Sequence, residues 1–435
     1  MFRSILRTAA SGALIGTLLS FSTSQAEDWP QWRGANRDGV WREEGVLEKF
    51  PAKEMPVKWR VEIGAGYSGP TIADGRVFVT DRLTKPVEQE RILCFDEATG
   101  QPLWVKAYDC PYGKIGYQAG PRASVTVEGK VAYALGATGR AFALDVASGD
   151  VIWEKDCEQL YEIDMPIWGI AGAPLLYENL IILHIGGKGA CVVALDKRTG
   201  EEVWKALGDR AQYSSPILVK QGETDVVIVW TGDSASGINA KTGNVVWNFP
   251  WKPRNMPIGI ATPIVENNMV FFTSFYDGSL MLKLDPAKPT AEKVWQIAGR
   301  DERNTEALHS IISTPLMRGG YIYGCDSYGE LRCLDAATGE RIWEDLTATP
   351  KARWSNIHFV QRGAETWMFN ERGELIIGKL AKEGFTEISR TKILEPTTEQ
   401  LRQRGGVCWS HPAFANRHVF VRNDKELVCV SLEKK

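Results

Sequence analysis

The feature that most constrains this chain of 435 residues is a nine-residue string that occurs five times. Each copy reads Asp or Asn, two variable residues, Thr or Ser, Gly, two more variable residues, a branched aliphatic residue and Trp, as in "DEATGQPLW" (96–104). Trp295 ends a longer variant, and Trp59 ends a strand-like run with no copy before it. Successive tryptophans from Trp59 to Trp343 lie 43 to 51 residues apart, a period typical of propeller blades or solenoids.

Each repeat also contains three short runs rich in β-branched and aromatic residues, such as "GRVFVTD" (75–81) and "GGYIYGCD" (319–326). Gly, Asn or Asp bound these runs, which is typical of strands joined by turns. The Thr-Gly pair before each Trp predicts a hairpin corner, because Gly adopts positive φ without strain and Asp can cap the turn. Four antiparallel strands per repeat predict one blade.

Eight such units fit the chain. Six units that end in Trp begin near residues 69, 121, 172, 214, 261 and 313. A seventh (354–394) has lost its Thr-Gly and Trp, and an eighth (409–435) has only three strands. The strand around Trp59 supplies the missing one, so the two termini close the ring and remove the open edge between the first and last blades. We therefore predict an all-β fold, an eight-bladed β-propeller of four-stranded antiparallel blades.

The sequence divides into a signal peptide (1–26), a Trp-rich N-terminal extension (27–55) and a single propeller (56–435). In the first segment Arg3 and Arg7 are the only charges, and an apolar run is followed by "SQA", which predicts secretion with cleavage after residue 26. An uncleaved membrane anchor is the alternative, but it needs about 20 apolar residues. We expect an exported, periplasmic protein with no membrane span after cleavage.

The N-terminal extension carries three tryptophans in "DWPQWRGANRDGVW" (28–41). Three exposed indole rings would form an unusual apolar surface. We expect the extension to pack along the outside of the ring or across one of its mouths. Docking of a partner is the alternative, and it requires the rings to stay exposed.

Cleavage of the signal leaves 49 basic and 54 acidic side chains, a net charge of −5, which argues against nucleic acid as a partner. Among the eight cysteines, Cys94, Cys333 and Cys429 occupy a repeat position that elsewhere holds Ala or Gly, so we predict small buried core residues there. A disulfide between Cys110 and Cys157 is a hypothesis that needs a short Cα separation. The five histidines lack metal-ligand spacing, so no metal site is predicted.

The repeat resembles the tryptophan-docking motif of the pyrroloquinoline quinone (PQQ) propeller superfamily, over nearly all of the chain after the signal. That superfamily includes quinoprotein dehydrogenases and a non-catalytic scaffold lipoprotein of the outer-membrane barrel-assembly machinery. In the dehydrogenases a disulfide between adjacent cysteines covers one face of the quinone, and this sequence has no Cys-Cys pair. The resemblance implies that the repeat tryptophans are structural residues that dock against neighbouring blades: Trp59, Trp104, Trp153, Trp204, Trp247, Trp295 and Trp343.

In a propeller the loops that lead into the innermost strands converge around the axis on one face. Stacking of a flat or sugar-like ligand is one interpretation of the aromatic residues in these loops, and plugging of the channel by Trp354 and Trp409 is the other. Two longer charged loops (299–310 and 395–406) add arginines that could form an anion-binding rim. The candidate ligand-binding funnel consists of Tyr67, Gln118, Arg122, Trp168, Tyr213, His309, Trp354, Asn356, Trp409 and His411.

We expect an exported, non-catalytic binding scaffold, a monomer that takes a protein partner, a small molecule or a sugar at its funnel face. We expect no nucleic acid partner and no cofactor. The first alternative is a quinoprotein oxidoreductase similar to the alcohol dehydrogenases, with PQQ and Ca²⁺ bound. The second alternative is a carbohydrate-binding module. Whether the chain is an enzyme stays open at this point, and the sequence assigns no catalytic residue.

Overall fold

Eight four-stranded antiparallel sheets account for nearly all the regular structure in the computed structural model, which describes residues 27–434. In seven of the sheets the strands follow chain order. The eighth sheet pairs β1 (Val57–Glu62) with the last strand of the chain, β32 (Glu426–Ser431). This arrangement confirms the predicted eight-bladed propeller. The predicted signal peptide lies outside the described residues.

The first four blades each contain four consecutive strands. Blade 1 consists of β2 (Thr71–Ala73), β3 (Arg76–Leu83), β4 (Gln89–Asp96) and β5 (Pro102–Asp109). Blade 2 consists of β6 (Thr126–Glu128), β7 (Val131–Leu135), β8 (Arg140–Asp145) and β9 (Val151–Asp156). Blade 3 consists of β10 (Leu175–Tyr177), β11 (Leu180–Gly187), β12 (Ala190–Asp196) and β13 (Glu202–Ala206). Blade 4 consists of β14 (Ile217–Gln221), β15 (Thr224–Trp230), β16 (Ser234–Asn239) and β17 (Val245–Pro250).

The last four blades include the ring closure. Blade 5 consists of β18 (Ile264–Glu266), β19 (Met269–Ser274), β20 (Gly278–Leu284) and β21 (Ala291–Ile297). Blade 6 consists of β22 (Leu316–Arg318), β23 (Tyr321–Cys325), β24 (Leu331–Asp335) and β25 (Arg341–Asp345). Blade 7 consists of β26 (Ile357–Arg362), β27 (Glu365–Asn370), β28 (Glu374–Ala381) and β29 (Gly384–Lys392). Blade 8 consists of β30 (Ala413–Ala415), β31 (His418–Arg422), β32 and β1, and the chain also forms the short helix α1 (Cys157–Tyr161) and a 3₁₀ turn (Gln403–Gly405).

Six of the seven repeat tryptophans reach from the outermost strand of their blade to the hairpin corner of the next blade. Trp104 is an example: its indole Nε1 donates to the Val146 carbonyl at 2.9 Å, and a Cβ added to Gly149 would lie 2.6 Å from its ring. Gly149 has φ +76°, and Asp145 caps the turn by accepting the backbone N–H of Ser148 at 3.0 Å. The recurring string therefore encodes a clamp between blades, with Trp in one blade and Asp and Gly in the next.

Trp247 departs from this pattern, because the next blade has a longer hairpin turn (285–290) between β20 and β21. Its Nε1 donates to Gln221 Oε1 at 2.9 Å, and the Gln221 amide donates to the Thr290 carbonyl of the next blade at 2.8 Å. Gln221 thereby replaces the missing direct contact. The direct indole-to-carbonyl hydrogen bond joins the other pairs: Trp59 to Glu97, Trp153 to Lys197, Trp204 to Ala240, Trp295 to Ala336 and Trp343 to Ala381.

The ring is closed by pairing of the first and last strands, as predicted. In the antiparallel register of β1 and β32, Trp59 lies opposite Cys429. Arg422, which is fully buried, adds a second link between blades 8 and 1. It donates from Nη1 to the Thr80 carbonyl at 2.9 Å and from Nη2 to the Gly64 carbonyl at 2.5 Å.

The N-terminal extension crosses the channel at the end to which the innermost strands run. Trp29 and Trp41 are buried, and Trp41 packs edge-on against Trp367 with ring centroids 5.2 Å apart. Docking of a partner by exposed rings does not fit these two buried side chains. The extension touches one blade after another: Trp29 bridges to Ile72, Pro30 accepts from Val127, Arg37 donates to Pro174 and Pro216, Trp32 donates to Thr262, and Val40 bridges to Gln361.

All eight cysteines lie in the described part of the chain and are free thiols. The hypothesis of a disulfide between Cys110 and Cys157 is wrong, because the two side chains belong to separate apolar clusters. Cys110 packs with Tyr112 and lies 3.4 Å from the Thr138 hydroxyl, whereas Cys157 is the first residue of α1. The three cysteines predicted to be small core residues are buried, namely Cys94, Cys333 and Cys429.

Candidate functional site

A cavity of about 290 Å³ lies on the propeller axis, at the face where the loops lead into the innermost strands. Blades 5 and 6 contribute an aliphatic wall, which comprises Met256, Ile258, Ile260, Ile311 and Ile312. Seven of the ten predicted funnel residues line the rest of the cavity: Tyr67, Arg122, Trp168, Tyr213, Trp354, Trp409 and His411. The cavity therefore has an aromatic side and an aliphatic side.

The other three predicted residues do not line the cavity. Gln118 is exposed and donates to the Gly113 carbonyl at 3.4 Å. His309 is fully buried. Its Nε2 accepts the Gly299 N–H at 3.0 Å, and its Nδ1 lies 3.0 Å from the Phe275 carbonyl. Asn356 is also fully buried, and its side-chain amide has no hydrogen-bond partner within residues 27–434.

Tyr117, which was not among the predicted residues, contacts three of the tryptophans on the aromatic side of the cavity. Its ring packs edge-on against Trp168 and Trp354, with centroid separations of 5.5 Å and 6.5 Å, and it is tilted against Trp409 with the centroids 6.3 Å apart. Trp168 in turn packs against Tyr213 at 5.0 Å. Edge-on and tilted contacts at these distances are favourable geometries for aromatic pairs. The rings therefore form a continuous wall that spans loops from five blades.

Tyr117 and Trp354 hold a backbone conformation that aromatic residues rarely adopt. Their φ angles are +52° and +69°, in the left-handed region. The surrounding backbone fixes both positions: the Gly116 N–H donates to the Ile167 carbonyl at 2.6 Å, and the Trp354 N–H donates to the Ser327 carbonyl at 2.8 Å. Strained residues of this kind cost about 1–3 kcal/mol each and cluster at ligand sites. Two of the fourteen non-glycine residues with positive φ among the described residues therefore lie in the wall of the cavity.

Arg122 places a positive charge in the cavity wall. Its guanidinium lies over the Tyr67 ring, 5.1 Å from the centroid, and no carboxylate of the described residues lies within ion-pairing distance. An arginine has five N–H groups. Three of them are donated to the backbone carbonyls of Gly116, Tyr117 and Gly120.

The second arginine of the cavity wall and two arginines of the predicted rim are paired with carboxylates. Arg353, which lines the cavity, donates to Glu302 at 3.2 Å. At the predicted rim, Arg404 pairs with Glu371 at 2.6 Å, and Arg300 pairs with Asp301 at 3.2 Å. Arg122 is therefore the charge in the cavity wall that lacks compensation.

The floor of the cavity is made by the N-terminal extension and the innermost strands. Trp32 meets His411 edge-on at 4.2 Å, and both line the cavity with His358. Burial, reinforced by the neighbouring His358, lowers the pKa of His411 to about 3, and burial lowers the pKa of His358 to about 4. Both imidazoles are therefore neutral at physiological pH.

Ser124 and His411 form a serine–histidine contact in this floor, with Oγ 2.8 Å from Nε2. Such a pair activates a nucleophile when a third group orients the base and stabilises its protonated form. Here His411 Nδ1 lies 3.3 Å from the Pro412 carbonyl, and the low pKa of His411 disfavours the imidazolium that base catalysis requires. The contact therefore satisfies two buried polar groups and does not supply a general base.

The lining of the cavity does not fit PQQ with Ca²⁺. Calcium is held by several oxygen ligands, and alcohol oxidation needs a carboxylate to accept the proton. Among the described residues that line the cavity there is no Asp or Glu side chain. Across residues 27–434, no group of three or more His, Cys, Asp or Glu side chains is arranged to hold a metal ion.

Several lining residues were missed by the prediction. Tyr117 stands in "GYQAG", where the flanking glycine and the loop position were a usable signal. Trp32 belongs to the Trp-rich extension, but nothing in its local pattern places it on the axis. Tyr276 and Arg353 lie in turns whose approach to the cavity depends on the three-dimensional arrangement of the blades.

The closed ring, the Trp-to-corner clamps and the axial cavity define a PQQ-like propeller. A family model described as "Outer membrane protein assembly factor BamB" matches residues 45–192 and 188–435. The match covers well over half of the chain, so the chain belongs to this family.

Curated relatives fall into two groups. The outer membrane protein assembly factor BamB of Shewanella oneidensis is 25% identical over 207 residues, which cover 46% of this chain and 51% of that protein. The 1-butanol dehydrogenase (quinone) of Thauera butanivorans is 29% identical over 157 residues, which cover 35% of this chain and 24% of the enzyme. This chain thus spans about half or less of the length of these relatives.

Solved structures agree on the fold. BamB from Moraxella catarrhalis aligns with a TM-score of 0.57 at 14% identity, over 88% of this chain and 99% of that one. The quinohemoprotein alcohol dehydrogenase from Comamonas testosteroni aligns with a TM-score of 0.62 at 13% identity, over 94% of this chain and 81% of that one. The propeller is common to both groups, so function has to be argued from the cavity.

Proposed function

We propose that this protein is an exported, non-catalytic binding scaffold that recognises its partner at the funnel face. The observation that carries the proposal is the composition of the axial cavity, which combines aromatic rings, aliphatic side chains and one uncompensated arginine. Apolar walls with a few placed polar groups are typical of binding sites. General acid–base catalysis needs a side chain that exchanges a proton near the working pH, whereas burial lowers the pKa of His358 to about 4 and that of His411 to about 3, and no carboxylate of the described residues lines the cavity.

The rim beside the cavity supports docking of a protein. Ile167, next to Trp168 of the cavity wall, is 55% exposed, and Leu160 of α1, in the same connection between blades 2 and 3, is 60% exposed. Exposed large apolar side chains near a cavity are candidates for an interaction surface. The description of the family as an outer membrane protein assembly factor supports a partner that takes part in assembling outer-membrane proteins. Within residues 27–434 no helix is long and apolar enough to cross a membrane.

Site-specific photo-crosslinking in cells that make the protein tests this proposal. A photoreactive amino acid replaces Ile167 at the funnel rim, and the matched control replaces Lys130, which is exposed in the hairpin between β6 and β7 at the other end of the channel. We expect one defined crosslinked protein at position 167, identified by mass spectrometry as a component of envelope assembly. Equal crosslinking at both positions, or none at 167, would contradict the proposal.

A further inference from the structure

We propose that the axial cavity binds a small aromatic monocarboxylate. The inference rests on the proposed function, because it names the chemistry of a ligand that the funnel face recognises. It is carried by three features of the same cavity: an arginine without a counter-ion, a wall of aromatic rings and a buried indole N–H without an acceptor.

The charge of the ligand follows from Arg122. Two of its five N–H groups, including Nε, are not donated to any group of the described chain, while the other three fix the guanidinium by bonds to backbone carbonyls. A guanidinium held in this way keeps its positive charge and two N–H groups on different nitrogens, so it can donate a charge-assisted hydrogen bond to one oxygen of a carboxylate. Glu302 already neutralises Arg353, so Arg122 is the one arginine of the cavity wall left to balance a negative charge on the ligand.

The shape of the ligand follows from the walls. Tyr117 and Trp168 present rings to a space of about 290 Å³, at the lower end of the range for small-molecule sites. A ligand of one or two fused rings can make edge-on and tilted contacts with these side chains while its opposite edge packs on Ile258 and Ile312. A sugar fits less well, because most of the exposed surface of the lining is apolar.

Trp409 supplies a second polar group. The side chain is 7% exposed and lines the cavity, and its Nε1 is buried without a hydrogen-bond partner in the described chain. A buried donor without an acceptor is destabilising, and a ligand oxygen that reaches Nε1 through a small shift of the ring relieves that cost. A carboxylate oxygen is such an acceptor. Arg122 lies over the Tyr67 ring and donates to the Tyr117 carbonyl, and the same two tyrosines pack against the apolar cluster that contains Trp409. The two donors therefore lie on the same side of the cavity.

The test is calorimetric titration of the mature protein with three probes that share one ring system: naphthoate, its neutral amide and the cationic naphthylmethylamine. We expect naphthoate to bind with one site per chain. We expect the amide to bind at least tenfold more weakly, since it lacks the charge that Arg122 recognises, and the amine not to bind measurably. Binding of the amide as tight as that of naphthoate, or no saturable binding of naphthoate at millimolar concentration, overturns the inference.

Two variants locate the bound probe. Arg122→Gln should weaken naphthoate by tenfold or more and leave the amide nearly unchanged, whereas the control Arg60→Gln, on an exposed arginine of β1, should change neither. Trp409→Phe keeps a ring but removes the unpaired N–H, and it should weaken naphthoate severalfold. Naphthoate affinity that is the same in Arg122→Gln and wild type overturns the inference. If Arg122→Gln unfolds, the comparison of the three probes on the wild-type protein still decides.

The outcomes separate this inference from the proposed function. A crosslinked partner at position 167 together with no naphthoate binding overturns the monocarboxylate inference and leaves the scaffold proposal standing. Binding of PQQ with Ca²⁺ that is tighter than that of naphthoate, accompanied by reduction of a dye in the presence of an alcohol, overturns both.

Discussion

The clamp between blades makes a prediction that two alanine substitutions in one blade can test. Gly149 in the Thr-Gly type corner has φ +76°, and a Cβ there would lie 2.6 Å from the Trp104 ring. Gly129, in the hairpin between β6 and β7 of the same blade, has φ +56°, and a Cβ there would meet nothing within 4 Å. Alanine is strained in the left-handed region by about 1–2 kcal/mol, so both variants carry that cost.

Only Gly149→Ala adds a steric clash with a buried indole. Overpacking of this kind costs about 1–3 kcal/mol, so Gly149→Ala should lower the free energy of unfolding by about 1–3 kcal/mol more than Gly129→Ala does. Equilibrium urea unfolding, followed by circular dichroism, measures the difference as a shift in midpoint at constant m-value. Equal losses in the two variants would refute the argument that Trp104 is packed tightly on the corner of the next blade.

Three further results are expected. Trp59→Phe removes the indole donor to the Glu97 carbonyl and should lower stability by about 1–3 kcal/mol in the same urea assay, whereas unchanged stability would contradict a role in ring closure. Burial lowers the pKa of His184 and His358 to about 4 and that of His411 to about 3. Unfolding raises each of these pKa values towards about 6.5. The contribution of the neutral histidines to the free energy of unfolding is therefore fully present above pH 6.5, and it falls by up to about 4 kcal/mol per pH unit as the pH drops towards 4. A urea midpoint that stays the same between pH 7 and pH 5 would contradict this. Titration with PQQ and Ca²⁺ should not quench tryptophan fluorescence saturably or support dye reduction, and a saturable response would restore the quinoprotein alternative.

Much of the fold was predictable because the residue types of the repeat determine the turn within a blade and the contact between neighbouring blades. Gly sets the positive φ of the corner, Asp caps it, and the Trp indole donates to a carbonyl at the corner of the next blade. Even the incomplete last unit and the orphan strand at Trp59 were readable as ring closure. Trp247 shows the limit, since its bond to Gln221 depends on the length of a turn in another blade.

The candidate site was less predictable. The loops leading into the innermost strands could be counted, and seven of the ten residues named from them line the cavity. His309 and Asn356 belong to loops of the same kind, yet their side chains are buried and do not line the cavity, because side-chain direction in a loop is set by contacts that sequence spacing does not encode. Trp32 reaches the axis through a path of the extension that has no periodic pattern.

Binding in the axial cavity can be followed by the indole N–H signals of the ¹⁵N-tryptophan-labelled protein during titration with naphthoate. Signals are assigned by single Trp→Phe variants. We expect shifts for Trp168, Trp354 and Trp409, which line the cavity, and none for Trp104 and Trp153, whose N–H groups are bonded between blades. Shifts confined to the blade-contact tryptophans, or no shift in any of the five, would contradict it.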